Sequence, residues 1–104
     1  MRSVVVQPEA NQEIDEAFGW YEDKEPGLGF RFLHNLETAY AGIARRPEIF
    51  QPVQSGFRRT LMQKFPYAVF FEFDEKLAVV HSVFHCSRNP LEWQSQLTPF
   101  KKIL

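Results

Sequence analysis

The sequence predicts a small α+β domain: an antiparallel-rich sheet covered on one face by an αα hairpin, in the order β-α-α-β-β-β. Three observations carry this expectation. From Phe65 to Arg88, two runs of Val, Phe and Tyr are joined by the charged triplet Asp74-Glu75-Lys76. Such residues fit a pleated, buried surface, and the triplet marks a hairpin turn. Ahead of them lie two segments whose apolar residues recur at helical spacing. The connection between those segments is short, so the helices are antiparallel neighbours, and only the sheet offers them a surface to cover.

Taken in order, Arg2 to Gln7 is a β-branched run and reads as the first strand. Pro8 ends it and suits the first turn of a helix. Ala10, Ile14, Ala17, Phe18 and Tyr21 form the apolar stripe of that helix. Glu9, Glu13, Asp15 and Glu16 lie where the helix dipole favours negative charge. The carboxylates from Glu9 to Glu25 make an acidic face, expected to be solvated. Trp20 falls beside the stripe, placed either to seal the helix pair or to stay exposed as an interface anchor. Pro26, Gly27 and Gly29 turn the chain.

A second helix from about Phe30 to Arg46 carries the stripe Phe32, Leu33, Leu36, Ala39, Tyr40 and Ile43. Arg45 and Arg46 complement its C-terminal dipole, and Pro47 stops it. Pro47 to Ser55 reads as a loop, and Phe57 to Gln63 as a strand pairing with the run Phe65–Phe73. In that run Tyr67, Val69, Phe71 and Phe73 share one side, while Ala68 and Phe70 share the other. A strand apolar on both sides is central and covered on both faces. The apolar tail 94–104 would cover the free face of the sheet or pair with a second chain as a homodimer.

The length of 104 residues corresponds to one domain, 1–104. With 44% hydrophobic and 15% aromatic residues, it suffices for a core without disulfides or metal. Cys86 is the single cysteine, which excludes an internal disulfide and a cysteine-cluster zinc site. No cofactor motif is present. No window reaches the ~18 apolar residues of a membrane span, and Met1 to Gln7 is too short for a secretory signal. A cytoplasmic protein is expected. The net charge of −1 and pI near 6.3 lack the positive excess of a general nucleic-acid binder, so such contact would need a local patch.

Polar groups gather where the last strand ends, at His85-Cys86-Ser87-Arg88-Asn89-Pro90. Imidazoles serve as switchable proton carriers and guanidinium groups clamp phosphates or carboxylates, so His85 and Arg88 are the candidate anion or RNA contact; the plainer reading has Arg88 paired with a helix acid and His85 capping the strand end. Arg58, Arg59 and Lys64 form a basic cluster, read either as a solvated strand edge or as a contact for a target or antitoxin, and strand alternation puts Arg58 and Arg59 on opposite faces. Tyr67 opens the central strand as a core aromatic with a hydroxyl to satisfy. His81 and His85, four residues apart, are expected to share a face. With no carboxylate placed near them, no metal site is expected.

Together, Trp20-Tyr21-Glu22, the run Pro26 to Leu33, the run Pro47 to Phe50, Phe65-Pro66-Tyr67 and the run His85 to Trp93 resemble the RelE/ParE toxins of type II toxin–antitoxin systems. The resemblance covers nearly the whole chain in order. It implies a small cytosolic toxin, a plasmid-stabilisation protein, held inactive by a cognate antitoxin encoded beside it. Members cleave messenger RNA in the ribosome or inhibit DNA gyrase. Ribonuclease members carry a Gly-Tyr-Arg strand start, and Pro66-Tyr67-Ala68 lacks that arginine. Arg88 matches their arginine after the last strand. Trp93 stands roughly where they carry a tyrosine, and an indole cannot act as a phenolic acid or base. The resemblance therefore implies a toxin that binds a protein target such as gyrase, and Arg58, Arg59, Lys64, Tyr67 and Trp93 are the candidate contacts for the target or the antitoxin. The alternatives are an mRNA endoribonuclease acting through Arg88 and His85, and an inactive binding module.

Overall fold

A computed structural model describes residues 1–92; Trp93 and the 94–104 tail, with the roles expected of them, lie outside the described residues. The elements are β1 (Ser3–Val6), α1 (Pro8–Lys24), α2 (Leu28–Arg45), β2 (Gln51–Pro52), β3 (Arg58–Leu61), β4 (Tyr67–Phe73) and β5 (Leu77–His85). The expected order holds, with one addition. The Pro47–Ser55 segment is not plain loop, because Gln51 and Pro52 pair with Arg59 and Arg58. The sheet runs β1-β5-β4-β3-β2. β2 to β5 are antiparallel, and β1 returns parallel to β5 at the far edge.

The helix pair is held by a carboxylate. Glu22 of α1 accepts hydrogen bonds from the N–H groups of Gly27 and Gly29, both at 2.9 Å. These donors belong to the first turn of α2, which has no partners of its own. Gly27 has φ of 90°, the left-handed turn that reverses the chain. At Gly29 an added Cβ would lie 2.8 Å from the Phe18 ring, so the glycine sets how closely the helices approach. α2 therefore begins at Leu28, two residues before the apolar pattern alone suggests.

The core lies between the helices and the sheet. Ala10, Ile14, Ala17 and Tyr21 from α1, and Phe32, Leu36 and Ile43 from α2, pack on Val69, Phe71, Ala78, Val80 and Val83. Tyr67, Val69, Phe71 and Phe73 do share this face, as alternation predicts. Ala68 and Phe70 point the other way, into a smaller cluster with Phe57 and Phe84.

The β4–β5 ladder slips between Phe70 and Phe71. Phe70 faces Ser82, Phe71 faces Val80, and His81 is the unmatched residue. This bulge corrects the expectation that His81 and His85 share a face, because an extra residue inverts the alternation beyond it. His85 stays on the helix side beside Tyr67, while His81 lies edge-on to Phe57 at 4.9 Å. His81 also has the carboxylate that the sequence did not place: its Nε2 is 2.7 Å from Glu72 Oε2.

Candidate functional site

A groove of about 550 Å³ opens where β4 begins and β5 ends, walled on one side by α1. Its position follows from strand pairing. Tyr67 is the register partner of His85, and the Cys86 N–H donates to the Pro66 carbonyl at 2.8 Å, which closes the sheet end. The His85 ring meets the Tyr67 ring edge-on at 5.0 Å. Its Nδ1 accepts the Ser87 N–H at 3.0 Å, so in the neutral ring the proton sits on Nε2.

Tyr67 belongs to an aromatic cluster, with its ring 6.2 Å from Tyr21 and 5.2 Å from Phe32. Burial pushes its phenol up to about 12. The neighbouring Tyr21, with which it shares a hydrogen bond, adds to the rise, and Arg88 pulls it partly back. Burial raises the Tyr21 phenol as well. Both phenols are therefore neutral at physiological pH.

Trp20 forms the outer lip and is 58% exposed, which resolves its two expected placements in favour of exposure. Lys24 sits over its ring at 4.7 Å. Arg88 lies on the opposite lip. Its guanidinium stacks over Phe84 at 4.4 Å and donates to Glu92 Oε2 at 2.6 Å. Glu16 also lines the groove.

Of the residues singled out in the sequence, Tyr67, His85 and Arg88 come together here. Arg58, Arg59 and Lys64 do not. Arg58 donates to the Phe50 carbonyl at 2.8 Å and lies over Phe73; Arg59, on the other face, donates to Gln51 Oε1 at 2.6 Å. Lys64 is in the β3–β4 turn, where its backbone N–H donates to Asn35 Oδ1 at 3.2 Å.

Sequence reasoning missed Glu13. Rather than joining a solvated acidic face, its carboxylate accepts from the Ser82 hydroxyl at 2.9 Å and the Val83 N–H at 3.0 Å. It pins α1 to β5 at the bulge. The available signal was its position one residue before Ile14, at the margin of the buried stripe. Among the described residues, no group of three or more His, Cys, Asp or Glu side chains could hold a metal ion. No described helix is long and apolar enough to cross a membrane.

The αα hairpin on a five-stranded sheet has a counterpart among known structures. The chain superposes on a chain of the chromosomal ParDE toxin–antitoxin system from P. aeruginosa with a TM-score of 0.73 and 13% identity, covering 82% of this chain and 96% of that one. No curated protein sequence matches it. Residues 4–90 match the family described as ParE toxin of the type II toxin–antitoxin system, parDE. The chain belongs to the ParE toxin family and is a toxin component of such a system.

Proposed function

We propose that this toxin acts by binding a protein target in the cytoplasm, with DNA gyrase the leading candidate, and that a cognate antitoxin neutralises it. The observation that carries the reading is the state of Arg88. Phosphodiester cleavage calls for cations aimed at developing negative charge and for an acid or base poised near neutral pH. Arg88 instead spends its charge on Glu92 and stacks on Phe84. The Tyr67 phenol, held at about 12, is a poor base at pH 7. An exposed Trp20, a Tyr and an Arg around a groove fit the anchors of a protein interface.

One observation favours a second reading. Tyr67, His85 and Arg88 converge on a single groove, as an endoribonuclease acting through His85 and Arg88 would require.

The purified toxin should therefore inhibit DNA supercoiling by gyrase and leave messenger RNA intact in a programmed-ribosome cleavage assay. Trp20→Ala should weaken gyrase inhibition at least tenfold. Codon-positioned RNA cuts, lost in Arg88→Ala, would establish the ribonuclease reading and overturn the first.

A further inference from the structure

On the sheet face turned away from the helices, Phe57, Phe70 and Phe84 are at most 2% exposed. Both helices pack on the other face, and among the described residues no helix or strand lies over this one. Val53 packs against the cluster, His81 meets Phe57 edge-on, and the Arg88 guanidinium lies over Phe84. A valine, an imidazole and a guanidinium do not close an aromatic face that reaches from β5 to β3. Each ring has some 150–250 Å² of surface to remove from water. More cover is needed than the described residues supply.

The chain itself leads to this place. Arg88 belongs to the turn after β5 and reaches round the sheet end to Phe84. Glu92, the last described residue, is held to Arg88 at 2.6 Å. Twelve residues follow, 93–104, and Trp93, Leu97, Phe100, Ile103 and Leu104 make them rich in large apolar side chains. Crossing from β5 to β3 takes two strand spacings, about 10 Å. Twelve residues span about 18 Å even when helical, and more when extended.

We propose that residues 93–104 lie across this face and complete its core, seating Leu97 and Phe100 on Phe70 and Phe84. The occupant is this chain rather than a second copy, because the three rings are already buried within a single chain. The seat also bears on the groove at the sheet end. Arg88 lines that groove and stacks on Phe84, so it touches both places. A docked tail holds the turn after β5 down and keeps Arg88 at the groove lip; a released tail frees both.

NMR spectroscopy of the full-length toxin tests this, with readouts that do not depend on what the toxin binds. Nuclear Overhauser contacts should join the Leu97 methyls and the Phe100 ring to the rings of Phe70 and Phe84. The same contacts should be absent from an isotope-filtered spectrum of mixed labelled and unlabelled toxin. Their presence there overturns the proposal, because the occupant is then a second copy. A tail with random-coil shifts and no contacts to the rings overturns it as well. In Leu97→Asp/Phe100→Asp, a dye for exposed apolar surface should fluoresce roughly threefold more strongly or better, and the Arg88 side-chain N–H signal should shift. A folded variant with unchanged dye fluorescence and an unchanged Arg88 signal overturns the proposal. If the variant does not fold, the wild-type contacts decide alone.

Discussion

The two faces of the sheet are built on different principles. The helix face is one continuous core, with Phe32 fully buried among Tyr21, Phe65 and Tyr67 at ring separations of 5.2 to 5.6 Å. The opposite face holds a small cluster of Phe57, Ala68, Phe70 and Phe84, bordered by the His81–Glu72 pair and by Arg88 lying on Phe84. The first face buries rings in rings, so a deleted ring leaves walls that cannot close. The second face is rimmed by long polar side chains that can follow a deletion inward. Stability should thus be concentrated on the helix side.

The largest expected effect tests this directly. Phe32→Ala should cost about 5 kcal/mol, the upper end for buried Phe, and Phe84→Ala about 3 kcal/mol. Urea denaturation of both variants gives the difference, and equal costs would break the comparison. Next, Gly29→Ala should cost about 2 kcal/mol through overpacking, because the new methyl meets Phe18 and the helices must separate. A loss within error would show that the helix pair is looser than its contacts imply.

A pH series sharpens the contrast further. Tyr67 ionises in the folded chain at about 12, against 10.0 ordinarily. Below pH 10 the phenol is protonated in both states and its contribution is complete. Between 10 and 12 the unfolded chain releases the proton first, so stability falls as pH rises. Tyr67→Phe should flatten that fall in denaturant midpoints measured across the window. The smallest effect belongs to Tyr40, whose buried hydroxyl has no hydrogen-bond partner among the described residues. Tyr40→Phe should leave the melting midpoint unchanged or raise stability by up to about 1 kcal/mol.

The sequence made most of the fold legible. The period-two pattern placed Tyr67, Val69, Phe71 and Phe73 on one face, and the helical stripes located Ile14, Tyr21, Phe32 and Ile43. The β5 bulge was not legible, because Val79-Val80-His81-Ser82-Val83 is apolar enough to fit either register. Only pairing with β4 and the grip of Glu13 on Ser82 and Val83 decide it. The groove was half legible. His85 and Arg88 stood out as polar groups after a strand, whereas Trp20 joins them only through the packing of α1 on β5. The separation of Arg58 and Arg59 from Lys64 followed from a turn and a two-residue strand, which leave almost no trace in composition.

The strand order carries a consequence for the life of the nascent chain. β5, the strand that joins β1 to the rest of the sheet, is the last of the five to leave the ribosome. β1 waits for it across some seventy residues, and the register partners Ser3 and Leu77 cannot meet earlier. Contacts so distant in sequence slow folding. A half-made chain therefore has no closed sheet end and no groove beside His85, so the fold is completed only in one late step. That delay gives a co-expressed antitoxin a window in which to meet a chain that has not finished folding.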